Sequence, residues 1–167
     1  MPPTLPPLDA APLPPVPATS NLKSASLFYV SATHWLTAAF AIPIVGGILV
    51  GMLIAVLASA VGLPLVASSL PAKILFTLVG FALTWYGALY SSRFIAKRYQ
   101  VADPLAVAKK ATVIAVVVGV VFRALALAGS RAVGTFASVT FAVEAASFVA
   151  TIAVFYFASV KYLKKNV

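Results

Sequence analysis

Four apolar runs, each with basic residues gathered at its ends, constrain this chain more than any other feature. They lie at about 37–62, 72–95, 110–128 and 133–160. A bilayer core of about 30 Å is crossed by about 20 helical residues, so each run is long enough to span it or close to it. Inside lipid every backbone N–H and C=O must be bonded within the protein, which leaves the helix as the form for separate runs of this length. The fold expected is all-α: a polytopic membrane protein with four transmembrane helices arranged as two antiparallel hairpins. Composition agrees. Only 9% of residues are charged and mean hydropathy is +1.06, against about 25% charged in an ordinary globular domain. Residues 22–167 form the single transmembrane domain.

Residues 1–21 are of another kind. Pro2, Pro3, Pro6, Pro7, Pro12, Pro14, Pro15 and Pro17 lock φ and remove donors, so a disordered, polyproline-II-like arm on the cytoplasmic side is expected. Such spacings suit an aromatic groove on a partner, although a plain solvated extension is the simpler expectation. Residues 22–36 carry Phe28, Tyr29, His34 and Trp35 and read as an interfacial stretch, with His34 given no role of its own.

The net charge of +9 does not indicate nucleic acid. Arg93, Lys97, Arg98, Lys109 and Lys110 group between the second and third runs, and Lys161, Lys164 and Lys165 follow the fourth. With Lys23 these fall on one side of a four-span chain, leaving Lys73 and Arg131 on the other. The positive-inside rule then places both termini in the cytoplasm of a multi-pass protein, a bacterial inner membrane being favoured over an organelle.

Small and hydroxylated residues recur at helical spacing inside the runs. Gly47, Gly51, Ala55 and Ser59 fall every fourth residue in the first, a stripe that lets another helix approach closely. In the second, Thr77, Gly80, Thr84, Gly87 and Ser91 step by three and four and face protein. Gly119 and Arg123 share a face of the third run, and Thr140, Glu144, Ser147 and Thr151 share one of the fourth. Asp103-Pro104 reads as an N-cap followed by a proline at the first helical position. Gly129-Ser130-Arg131 reads as the turn between the last two spans. The segment Ser91-Ser92-Arg93-Phe94-Ile95 resembles Ser159-Val160-Lys161-Tyr162-Leu163, a hint of a duplicated hairpin.

A charge at bilayer depth costs a few kcal/mol and calls for a partner. The expectation is an intramembrane ion pair between Arg123 and Glu144, either fixing the hairpin register or lining a polar crevice between the second and fourth spans. Enzyme chemistry is not expected. The chain has no cysteine, one histidine and three acidic residues, Asp9, Asp103 and Glu144, set in three different environments. No catalytic residue, metal site or cofactor is assigned. The expected partners are the lipid bilayer and another membrane protein or a second copy. The expected role is a non-catalytic accessory, scaffold or assembly subunit. The alternative is a small dimeric transporter or flippase using Glu144 and Arg123. In length, span count and basic hairpin ends the chain resembles the GtrA-like proteins, a likeness that implies movement of lipid-linked sugars or other small substrates.

Overall fold

The computed structural model describes residues 24–62, 70–132 and 138–166, without the side chains of 70, 71, 130–132 and 138–140. Within them the chain is helical: α1 (Leu27–Trp35), a π-helical turn (Leu36–Ala41), α2 (Ile42–Ala60), α3 (Leu70–Arg98), α4 (Pro104–Ala132) and α5 (Ser138–Asn166). Leu27–Ala60 runs on as one length, so four helical spans are long and apolar enough to cross a membrane. The Pro-rich arm and the first connection fall outside the described residues.

Two boundaries differ from the sequence reading. The stretch read as interfacial is not separate from span one. From Leu27 it is the first part of span one, capped by Ser26, whose hydroxyl accepts the Tyr29 N–H at 3.2 Å. Pro43 lies within this continuous helix, just after the π turn. Its ring crowds the carbonyl one turn back and it has no N–H to give, and the π turn meets this by passing the Ile42 N–H to the Thr37 carbonyl. Gly129-Ser130-Arg131 is not a turn, because α4 continues through Ala132. The Asp103 cap is present: its carboxylate accepts the N–H groups of Leu105 and Ala106 at 2.9 and 3.0 Å. Asp103→Ala should therefore cost about 1 kcal/mol of stability, read as a small loss in melting temperature with the helix count unchanged.

The interior is built in two layers. Val30, Ile95, Val107, Ala108 and Leu163 fill one. Ala38, Ala88, Ala111, Ala115, Phe155 and Ala158 fill the next. From the first layer to the second, numbers rise along the first span and α4 and fall along α3 and α5. Lipid supplies no hydrophobic drive between helices, so close van der Waals approach must hold them. The alanine-rich layer provides that approach. Contacts are not confined to neighbours in sequence: α3 lies along α5 and α1 along α4.

Burial also matches between the two halves. At a step of about 77 residues, Val30, Ser31, His34 and Ala38 correspond to Val107, Ala108, Ala111 and Ala115, all buried. Ser91 and Ile95 correspond, at a different and shorter step, to Ser159 and Leu163, each 0% exposed. The likeness between the span ends is thus accompanied by matching places in the core. Two positions differ chemically: Ser31 corresponds to Ala108 and His34 to Ala111.

Candidate functional site

His34 is fully buried between three helices. Its Nδ1 lies 3.0 Å from the Ser91 hydroxyl on α3 and its Nε2 lies 2.9 Å from the Ser159 hydroxyl on α5. The ring stacks on Phe155 with centroids 5.7 Å apart. A neutral imidazole has one N–H and one lone pair, and a hydroxyl can give or take a bond. One serine therefore accepts from the ring and the other donates to it, and both nitrogens are satisfied in either tautomer. The Ser91 oxygen also lies 3.4 Å from the His34 carbonyl, so its hydrogen has a second acceptor within reach. An imidazolium would need both serines as acceptors, and among the described residues no carboxylate joins the cluster to balance its charge. This is a polar tie across the bundle. It replaces the sequence reading of His34 as an interfacial residue without a role.

A second set of bonds holds the end of α5 to α3. The Asn166 side-chain amide donates to the Ser92 hydroxyl at 2.7 Å, and Ser92 donates to the Leu89 carbonyl at 2.8 Å. Trp85 donates its indole N–H to the Tyr162 hydroxyl at 2.7 Å. That satisfies the polar atom of a tryptophan placed well inside its helix. Ser91, Ser92, Ser159, Trp85 and Tyr162 thus all lie along the α3–α5 seam.

The expected polar stripes are divided by the structure. Thr84 and Ser91 face inward, Thr77 is half-buried and Glu144 is exposed, that is, turned outward from the bundle. Ser147 and Thr151 are half-buried, and Thr151 returns its hydroxyl to the Ser147 carbonyl at 2.8 Å. The side chain of Thr140 lies outside the described residues. Thr77, Thr84 and Glu144 thus differ in burial, from half-buried through buried to exposed.

The glycines divide too. A methyl on Gly87 would stand 3.1 Å from the Ala38 carbonyl carbon and Cα, and nearer still to the carbonyl oxygen. On Gly119 it would meet the Phe148 ring at 2.5 Å. Around Gly47 and Gly80 nothing lies within 4 Å, and Gly51 has only ordinary contact with Phe76. Ala55 and Ser59 are exposed, and no residue of α2 is buried. Among the described residues the first-span stripe is therefore not a packing seam. Gly46 is the close-packed glycine there, since a methyl on it would come within 2.6 Å of the Leu83 side chain.

Arg123 does not pair with Glu144. Its guanidinium carbon lies 3.9 Å from the centroid of the Phe148 ring, and Nη1 donates to the Gly119 carbonyl at 3.4 Å. The reason is geometric. Arg123 stands nine residues before the end of α4 and Glu144 six residues after the start of α5, about 13 Å and 9 Å in at 1.5 Å per residue. Helical side chains lean toward their own N-terminus. The two helices run in opposite senses here, so Arg123 leans further in and Glu144 leans back out. Among the described residues no ion pair joins them.

Arg123 instead lines a groove of about 220 Å³ between the first span, α4 and α5, with Trp35, Phe40, Phe148, Thr151 and Phe155 among its walls. Among the described residues there is no group of three or more His, Cys, Asp or Glu that could hold a metal ion. No family model, curated protein or solved structure matches the chain.

Proposed function

We propose that this small integral membrane protein is a non-catalytic subunit, a scaffold or assembly chain of a larger membrane complex. The observation that carries this reading is the contrast between its inner and outer surfaces. The bundle interior is filled by alanine layers and cross-linked at His34, whereas α2 contributes no buried residue. Ile48, Met52 and Val56 on α2 are 53%, 62% and 66% exposed, and beside them run Gly47, Gly51, Ala55 and Ser59. A neighbouring helix can approach such a face closely. A bundle with an alanine-packed interior and a largely exposed apolar helix suits packing against other chains better than moving a solute through itself.

Both termini belong on the cytoplasmic side in this reading, because the lysines and arginines gather at the ends of α3 and α5 and the start of α4. The bacterial inner membrane is the location it favours. The chain has no cysteine, so single-cysteine labelling is clean. A cysteine at Lys165 should react with a membrane-impermeant maleimide in inverted vesicles and not in intact cells.

The test of the role is site-specific photo-crosslinking in native membranes. A photoreactive residue at Ile48, Met52 or Val56 should give one discrete protein adduct in mild detergent. Adducts with lipid alone from all three positions would remove the reading. The second reading, a small dimeric transporter or flippase, draws its support from the Arg123 groove. It requires solute uptake that is abolished in Arg123→Gln.

A further inference from the structure

We propose that the groove beside Arg123 is a binding site for the carboxylate end of a single-chain anionic amphiphile, a long-chain fatty acid entering from the bilayer. This goes beyond the packing role above and does not depend on it.

The argument starts from where the guanidinium points. An arginine in a membrane helix usually extends its stem toward the nearer polar boundary. Arg123 turns back along its own helix, placing Nη1 on the Gly119 carbonyl and the plane's centre over Phe148. The glycine makes this possible, since any side chain at position 119 would collide with the Phe148 ring. The cation is thus held against an aromatic floor, inside a groove whose other walls include Trp35, Phe40 and Phe155. A guanidinium carries five N–H donors in a planar fork. One long bond to a carbonyl and one ring face leave that fork largely unmatched, and among the described residues no carboxylate pairs with it. At this depth an unbalanced cation is costly. A carboxylate presented along the fork would balance it with two charge-assisted hydrogen bonds.

The rest of the groove selects what carries the carboxylate. Its walls are aromatic and aliphatic apart from Arg123 and Thr151, so the body of the ligand must be apolar. A volume of about 220 Å³ holds roughly seven water-sized groups at about 30 Å³ each, enough for the head and first carbons of one chain, with the remainder passing sideways into lipid. A two-chain phospholipid fits less well. Its phosphate belongs at the headgroup level, and bringing it to Arg123 would drag two ester groups into the apolar core, where unpaired polar atoms are costly.

Trp35 lines the groove, whereas Trp85 is engaged with Tyr162 on the α3–α5 seam. With two tryptophans in the chain, Trp85→Phe leaves Trp35 as a sole reporter. The full-length W85F protein in phosphatidylcholine nanodiscs is titrated with a stearate brominated at mid-chain, whose bromines quench a nearby indole. Saturable quenching is expected with the acid and not with its methyl ester. Arg123→Gln should raise the half-saturating concentration at least about tenfold, the scale of a lost charge-assisted pair. Ala39→Phe fills the groove while keeping the arginine and should have the same effect, so the test survives if R123Q does not fold. Equal quenching by the ester, or unchanged saturation in both variants, would overturn the proposal. Preferential quenching by brominated phosphatidylglycerol would overturn it in favour of a phospholipid headgroup.

Discussion

His34→Ala should lower the stability of the purified protein by about 3 kcal/mol. Three losses combine. The imidazole leaves a cavity beside Phe155, and truncating a large buried side chain typically costs about 2–5 kcal/mol. The Ser91 and Ser159 hydroxyls, both fully buried, lose their cross-helix partner. Each such bond between membrane helices averages about 0.6 kcal/mol and reaches about 1.7, so the cavity is the larger part. Retention by Ser91 of the His34 carbonyl as acceptor softens its share. The contrast that identifies the polar tie is His34→Leu with and without Ser91→Ala and Ser159→Ala. An apolar side chain facing two apolar positions leaves nothing unpaired, and replacing all partners together is nearly neutral where removing one is not. The triple variant should therefore be more stable than His34→Leu alone in a denaturation titration. If the two are equally stable, the serines contribute nothing through the histidine.

The second large effect is expected at Gly87. Adding one methyl there should destabilise the fold by about 2 kcal/mol, within the range of about 1–3 kcal/mol typical of overpacking. Here the obstacle is backbone: the Ala38 carbonyl group, held in the π turn. In that register the donor for the Ala38 carbonyl would be residue 43, which is a proline and has no N–H to give. The carbonyl instead faces the bare Cα of Gly87, and the first span comes close to α3 at this point. A side chain can rotate away from an added methyl, but this carbonyl can move only if the turn is rebuilt. Gly47→Ala and Gly80→Ala meet nothing within 4 Å. They should be neutral or stabilising by up to about 1 kcal/mol through helix propensity. Melting temperatures of the three alanine variants in one detergent check the ordering. A Gly87→Ala protein as stable as Gly47→Ala would mean that the first span does not approach α3 as described.

These two positions show what could be read in advance. Gly87 lay on the three-four stripe of the second span, and its inward face was legible because α-helical period alone decides which residues share a face. The same reasoning placed Thr84 and Ser91 inward and Asp103 at a cap. At Gly47 it showed only that a close approach is possible, because a stripe of small residues does not say which helix makes it. It failed for His34, since the polar and aromatic content of residues 22–36 suggested an interface. The missed signal was the four-residue step from Val30 through His34 to Ala38 beginning after the Ser26 cap. The same step runs from Val107 through Ala111 to Ala115 after the Asp103 cap.

The Arg123 groove was half legible. An arginine inside an apolar run announces that something must balance it, and the acid nearest in chemistry was Glu144. Which partner it meets depends on depth and on the lean of the side chains, and both follow from where α4 ends and where α5 is helical. That information is absent from spacing within either run.

By itself the sequence determined the solvent, the number of crossings and the inward face of the second run, because lipid forces backbone bonding within each run and a helix has one period. The tertiary structure alone decided that His34 lies between two serines, that Gly87 rather than Gly47 meets a backbone, and that Arg123 rests on an aromatic ring. Those are contacts between helices distant in the chain. Their registers are set by packing in three dimensions, which no single run encodes.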